Sequence, residues 1–350
     1  MGTEAAAAGR AVGRGVHWLM LPLLTALLAG GCTDLALSKY RDDRLLEEYR
    51  YALGEQYVEI DGLRLCYQEL GAGPTVIILP GLGTSIDFWQ RNLPALAEHF
   101  HVLALDLPGF GKSDKPDVAY DLRWTCGRIR AFMDARGVER ASFVGGSMGG
   151  HLALLMALEH PERVERVVLM GSTGAWRPPG VLLDAVIRLV WNDALVTDYL
   201  RGRWPVIYRS LFAQETELTE ALLRYQMARR ARSTEYRPEG RASSRVLRSI
   251  VYRSCRSRLG EVGVPVLLIW GASDRIHPVA DGAYMQAHLP DARLVVIEGA
   301  SHEAMRDQPE AFNDAVTAFL SDAAAPHPAT RVVGGVPAGA NWNRHANGGQ

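Results

Sequence analysis

Lysine is nearly absent from this 350-residue chain: of its 38 basic side chains only Lys39, Lys112 and Lys115 are lysines, and the rest are arginines. The formal net charge is −1, so the broad positive field of a nucleic-acid-binding protein is missing and nucleic acid is excluded as the expected partner. Cysteine is scarce as well. Cys32, Cys66, Cys126 and Cys255 contain no C-x-x-C pair, which removes both a zinc site and a disulfide framework. The apolar run from Trp18 to Ala29 has 12 residues, short of the ~20 that a membrane-spanning helix needs. What remains is a chain with 48% hydrophobic and 22% charged residues, the composition of a globular protein able to bury a sizeable core.

The two ends stand apart from the rest. Arg10 and Arg14 precede the apolar run, and Gly30-Gly31-Cys32 follows it; charge, apolar core and small-residue exit together read as a secretory signal. Small residues ending on a cysteine resemble a bacterial lipoprotein signal. That resemblance implies removal of residues 1–31, lipidation of Cys32 and residence in the cell envelope, with Thr33 favouring the outer membrane over the inner. An ordinary cleaved signal and an uncleaved anchor are the alternatives. Residues 32–54 then form a linker, with Leu45, Leu46, Tyr49 and Leu53 at helical spacing. Residues 323–350 are rich in Ala, Gly, Pro and Asn without periodicity and are expected to be a disordered tail.

Between the ends the pattern is that of an α/β protein. Val58 and Ile60, then Leu63, Leu65 and Tyr67, alternate around Asp61-Gly62, a two-residue hairpin turn signal. Six short apolar runs follow: Val76 to Leu79, Val102 to Leu105, Ser142 to Val144, Val167 to Met170, Val266 to Trp270 and Leu294 to Ile297. Their lack of polar alternation suits strands buried on both faces of a parallel sheet. Helical patterns at Leu93 to His99, Trp124 to Arg136, Met148 to His160 and Asp281 to His288 separate most of them. The core is thus expected over 55–171 and 262–322. Residues 172–261 are too long for one crossover and read as an inserted helical cap, with helices at Val181 to Trp191, Thr197 to Phe212, Glu217 to Arg232 and Arg241 to Leu259. Eleven arginines between Arg224 and Arg258 read as a solvated helix face, with contact to anionic lipid headgroups as the functional alternative.

The sharpest motif is Gly145-Gly146-Ser147-Met148-Gly149-Gly150, lying between a strand pattern and a helix pattern. A G-x-S-x-G turn in that setting projects the serine hydroxyl above the sheet. A serine needs a base, and the base needs a group to orient it. Asp274, in Trp-Gly-Ala-Ser-Asp, and His302, in Glu-Gly-Ala-Ser-His, both follow predicted parallel strands, whose C-terminal ends form the ligand crevice of an open α/β sheet. The catalytic set is therefore Ser147, Asp274 and His302. The oxyanion donors are the backbone N–H groups of Met148 and of Leu82 in Leu79-Pro80-Gly81-Leu82-Gly83. His151 reads as a packing or hydrogen-bonding residue.

These motifs in this order, together with Asp106-Leu107-Pro108-Gly109-Phe110-Gly111-Lys112-Ser113, resemble the α/β-hydrolase superfamily over roughly residues 55–322. Pro80 departs from the His usual there, and Asp106 and Ser113 read as loop-organising. The resemblance implies a serine hydrolase with no metal or organic cofactor. Ser147 argues against the epoxide hydrolases and haloalkane dehalogenases, which carry Asp at that point. The stretch from Ser147 through Val164 is also similar to hydrolases that cleave carbon–carbon bonds of aromatic ring-fission products. Those usually have a longer glycine-rich loop and an aromatic residue after the catalytic His, where Glu303 stands here. The expectation is accordingly a membrane-anchored carboxylic ester hydrolase, esterase- or lipase-like, working through an acyl-enzyme on an apolar ester. Carbon–carbon hydrolysis of a ring-fission-type diketone and acyl transfer are the alternatives, and a catalytically silent binding protein is the competing class.

Overall fold

The computed structural model describes residues 54–176, 181–214, 216–231, 233–321 and 330–333. Strands β1 (Gln56–Ile60) and β2 (Leu63–Leu70) form the expected hairpin. Asp61 and Gly62 take φ of 49° and 75°, the paired positive values of a turn that matches strand twist. The six apolar runs become β3 (Thr75–Leu79), β4 (His101–Leu105), β5 (Ala141–Gly146), β6 (Val164–Met170), β7 (Val266–Gly271) and β8 (Ala292–Ile297). They join one sheet in the order β1-β2-β4-β3-β5-β6-β7-β8-β9, in which β2 alone runs against the rest. Val76 and Ile78 face one apolar core, and Ile77 and Leu79 face the other. Burial on both faces explains why these runs lack polar alternation.

Helices α1 (Leu93–Ala97), α2 (Leu122–Ala135) and α3 (Met148–Glu159) follow β3, β4 and β5. The segment between β6 and β7 is helical, as expected of a cap: α4 (Val181–Val190), α5 (Asp193–Ser210), α6 (Glu217–Ala231) and α7 (Ser233–Tyr252). Helix α5 starts four residues before the expected Thr197, because the Asn192 side chain accepts from the backbone N–H groups of Ala194 and Leu195 at 2.9 and 3.2 Å and so caps the helix. Helix α7 starts at Ser233 rather than Arg241 and passes through Pro238. After β7 come α8 (Val279–His288), α9 (Ala304–Asp307) and α10 (Pro309–Ser321); the last two were not read from the pattern. Strand β9 (Thr330–Val333) pairs in parallel with β8, inside a stretch expected to lack structure. A four-residue run is too short a signal to stand out from its Ala- and Gly-rich surroundings.

The arginine-rich stretch of the cap is not simply a solvated face. Arg241 and Arg245 pair with Asp117 at 2.8 and 2.6 Å, Arg245 also with Asp193 at 2.8 Å, and Arg253 with Asp121 at 2.8 Å. Arg256 donates to the carbonyl of Ala175 at 2.8 Å. Several of these partners lie in the loop leading into α2, so the stretch fastens cap to core. Residues 1–53, with Cys32, the signal and nearly all of the linker, lie outside the described residues, as does most of the tail.

Candidate active site

The sheet order places the site. The winding order reverses at β3, which has β4 parallel on one side and β5 parallel on the other; such switch points open a crevice at the C-terminal strand ends. Leu79 is level with Gly145 across this pair, so the loops after β3 and β5 meet there.

Ser147 occupies the turn between β5 and α3 with φ 52° and ψ −112°. A non-glycine residue in such a conformation costs on the order of 1–3 kcal/mol and persists only where its surroundings enforce it. Here the Ser147 N–H donates to the Met170 carbonyl at 2.8 Å, and its carbonyl accepts from His151 and Thr173 N–H groups at 3.1 and 3.3 Å. The flanking glycines are required by crowding. A Cβ at Gly149 would collide with the Leu79 carbonyl, and one at Gly145 with the Gly149 backbone. The loop after β3 thus packs against the start of α3, and the position of a Cβ on Gly81 lies 3.4 Å from Ser147 Cβ.

His302 and Asp274 come together beside this turn. His302 Nδ1 lies 2.9 Å from Asp274 Oδ2, and Asp274 Oδ1 accepts from the N–H groups of Ile276 and His277 at 2.8 and 2.9 Å. The pair packs on the backbone at Gly171, next to the Met170 carbonyl that holds Ser147. Both side chains are buried. Burial alone would push the imidazole down, but the charge and hydrogen bond of Asp274 outweigh it and hold His302 above its ordinary value. Burial alone would raise Asp274; the charge and hydrogen bond of His302, with His277, hold it below the carboxylate range instead. The bond to Asp274 engages Nδ1 and leaves Nε2 as the basic nitrogen.

The Leu82 amide sits in a tight turn closed by the Thr84 N–H and hydroxyl, which donate to the Gly81 carbonyl at 3.2 and 2.9 Å. Met148 is the first residue of α3, so its amide has no intrahelical acceptor and is available at the positive end of the helix. Asp106 accepts from the N–H groups of Ile86 and Lys112, at 2.9 and 2.8 Å, and Ser113 donates to the Asp106 carbonyl at 2.6 Å: both organise the loop. His151 is fully buried and bonds the Arg253 carbonyl at 2.8 Å, and burial lowers it to about 4 despite that bond. It is a neutral tie to the cap. The thiols of Cys66, Cys126 and Cys255 are buried and unpaired. Burial pushes all three up, Cys255 to about 12, which leaves them inert.

Three contributors were not read as site residues. Glu303, noted only as a departure after His302, is buried against the site, and burial raises it to about 7 despite His302 and Arg306. Asp307 accepts from the N–H groups of Ser301 and Ala213, at 2.8 and 2.9 Å, stitching the histidine loop to the cap. His277 places its ring 5.5 Å from that of His302. Only its position after Asp274 hinted at this. No group of three or more His, Cys, Asp or Glu side chains suited to a metal occurs among the described residues.

Comparison with known proteins adds to this geometry. A family model described as "alpha/beta hydrolase fold" matches residues 74–309, more than half of the chain. A 2-hydroxy-6-oxononadienedioate/2-hydroxy-6-oxononatrienedioate hydrolase of Pseudomonas putida is 32% identical over 275 residues, covering 75% of this chain and 93% of its own. The solved 2-hydroxy-6-oxo-6-phenylhexa-2,4-dienoate hydrolase of Rhodococcus sp. strain RHA1 superposes with a TM-score of 0.61 at 26% identity, covering 77% of this chain and 100% of its own. A membrane phospholipase A, described as a bacterial virulence factor, superposes with a TM-score of 0.65 at 31% identity, covering 87% and 97%.

These findings correct the expected chemistry. Curated relatives at 30–32% identity over 91–93% of their length are named as hydrolases of ring-fission dienoates, so the carboxylic-ester reading and its apolar ester substrate give way. The local cues, a short oxyanion loop and Glu303 after the histidine, pointed away from that class, but they concern a few positions against some 270 aligned residues. The membrane as partner is withdrawn with that reading, while Cys32 and its expected lipidation lie outside the described residues. Among the described residues no helix is long and apolar enough to cross a membrane.

Proposed function

Since the chain belongs to the α/β-hydrolase family, we propose that it hydrolyses a carbon–carbon bond in a conjugated diketone of the ring-fission type. The observation that carries this reading is the 32% identity over 93% of the Pseudomonas putida hydrolase, together with a serine, histidine and aspartate brought around the Met170–Gly171 backbone.

The chemistry is an acyl transfer with a carbon leaving group. Ser147 Oγ attacks the ketone carbonyl, His302 Nε2 takes its proton, and Asp274 stabilises the resulting imidazolium. The oxyanion is held by the amides of Leu82 and Met148. As the intermediate collapses, the carbon–carbon bond breaks, its electron pair delocalises into the conjugated second carbonyl, and the proton on His302 is returned to that fragment. Water, activated by His302, then releases the carboxylic acid from Ser147. Every proton moves through one imidazole, and no further reactant is needed.

The test is to follow loss of a vinylogous 1,5-diketone chromophore by the full chain, with p-nitrophenyl esters assayed alongside and Ser147→Ala as control. Diketone turnover that falls by on the order of 10⁴- to 10⁶-fold in Ser147→Ala is the expected result. Serine-dependent ester turnover with no diketone turnover would overturn the reading.

A further inference from the structure

Arg230, in the cap helix α6, is an arginine with a 1% exposed side chain. A guanidinium taken out of water costs several kcal/mol unless its donors are matched, and here Nη1 and Nη2 are matched, with one acceptor in the loop after β3. Nη2 donates to Glu239 Oε1 at 2.8 Å and to the Gly83 carbonyl at 2.6 Å, and Nη1 donates to Gln226 Oε1 at 2.9 Å. The guanidinium packs against two aromatic rings, 4.7 Å from the centre of Trp204 and 5.1 Å from that of Tyr208. Tyr208, on α5, donates its own hydroxyl to the same Gly83 carbonyl at 2.6 Å. Both lone pairs of that oxygen are therefore taken by donors from two cap helices.

Gly83 is the residue after Leu82, in the turn that lies against Ser147. Its φ is +68°, and a Cβ there would sit 2.5 Å from Trp204 Cη2, so the cap leaves no room for another residue. The carbonyl is gripped from the cap side and the turn is closed from the core side by Thr84. The peptide carrying the Leu82 amide is fixed between the two.

The geometry points to Arg230 and Tyr208 as positioning residues that set the Leu82 oxyanion donor from the cap, so that seating the cap and completing the oxyanion hole are one event. Neither side chain is a catalytic residue; each acts through the Gly83 carbonyl. Glu239 orients Arg230 and balances its charge. This explains why the cap–core seam retains a buried ion pair, where apolar side chains of similar volume are often as stable or more so. The inference rests on Ser147 as nucleophile and Leu82 as donor, and not on which bond the enzyme breaks.

The experiment measures phosphonylation of Ser147 by an alkyl fluorophosphonate, which forms a serine–phosphorus bond, expels fluoride and places a phosphoryl oxygen in the hole whatever the natural substrate. Arg230→Met, Arg230→Lys and Tyr208→Phe are compared with the parent, with thermal melting and circular dichroism to select folded protein. In folded Arg230→Met the maximal labelling rate is expected to fall about 10- to 100-fold, somewhat less than the 10²- to 10³-fold that follows outright loss of a donor, with the probe's initial binding unchanged. Affinity for a trifluoromethyl ketone that adds to Ser147 should fall by the same factor. Arg230→Lys keeps the charge beside Glu239 without the planar fork, so it should recover melting temperature but not labelling rate. Labelling within twofold of the parent in any folded Arg230 variant overturns the inference. If Arg230→Met does not fold, Tyr208→Phe decides: a drop of about 3- to 10-fold is expected for one weakened tether, and no change refutes it. A parent that labels but ignores the diketone fails the functional reading and leaves this one standing.

Discussion

Every residue of β5 and of β7 is buried, and the contacts that hold these strands are mostly apolar side chains on both faces, few of which depend on one particular partner. Across the seam between cap and core, apolar packing such as Phe88 against Tyr208 and Phe212 is joined by contacts that are polar and pairwise: Arg245 to Asp117, Arg253 to Asp121, Arg230 and Tyr208 to Gly83, the Glu303 N–H to the Leu211 carbonyl at 3.0 Å. The first kind of contact is encoded by composition over a stretch. The second is encoded by single residues far apart in the chain. A sheet of the first kind can hold a strained serine in place, while a seam of the second kind can be altered one contact at a time.

Substitutions can sharpen that contrast. The largest effect is expected at the rigid end of the core: Asp274→Asn should lower kcat about 10⁴-fold. Because Asp274 is what raises His302, the same change should move the acid limb of the rate profile to lower pH; a pH–rate profile checks both. Next, Ile269→Ala, at a fully buried position of β7, should destabilise the chain by about 2–5 kcal/mol in denaturant unfolding, with the site geometry kept. Glu303 lies on the boundary between the regions. Its carboxyl is raised from 4.5 to about 7, so the protonated form is favoured by folding, and the stability it confers below pH 4.5 is lost as pH rises to about 7. Glu303→Gln should therefore be nearly neutral at pH 4.5 and stabilising on the order of 3 kcal/mol at pH 8, seen as unfolding midpoints that converge at low pH. The smallest effect belongs to the seam. Arg245→Met, which keeps the side-chain stem, should cost about 1 kcal/mol or less in unfolding free energy, shrinking further as salt is added.

The same contrast decides what could be read from the chain alone. The hairpin at Asp61-Gly62, the six buried strands and the cap insertion carry local signals of turn chemistry, period and length. Ser147, Asp274 and His302 were legible because each follows a strand in a motif whose geometry is short-range. Arg230 was not. Its partner Gly83 is 147 positions away, and nothing in Met-Ala-Arg-Arg-Ala distinguishes a side chain buried against two aromatic rings from one in solvent. The arginines at 241, 245 and 253 were misread for the same reason, since their acids lie in the loop before α2. The choice between ester and carbon–carbon cleavage failed differently. The short oxyanion loop and Glu303 are real departures, but bond selectivity depends on the whole pocket, and single positions beside the histidine do not define it.

The cap enters the chain between two strands that are direct neighbours, Met170 pairing with Ile269, so the β6–β7 ladder must close over a loop of roughly 95 residues where a crossover of about 12 would suffice. Closure entropy grows only as the logarithm of loop length, which makes the difference about 2 kcal/mol. That is no more than the loss of one buried aliphatic side chain. An insertion of this size therefore burdens the sheet very little, and caps of different length and lining could be exchanged at this junction while the strand ends that carry Ser147, Asp274 and His302 stay where they are.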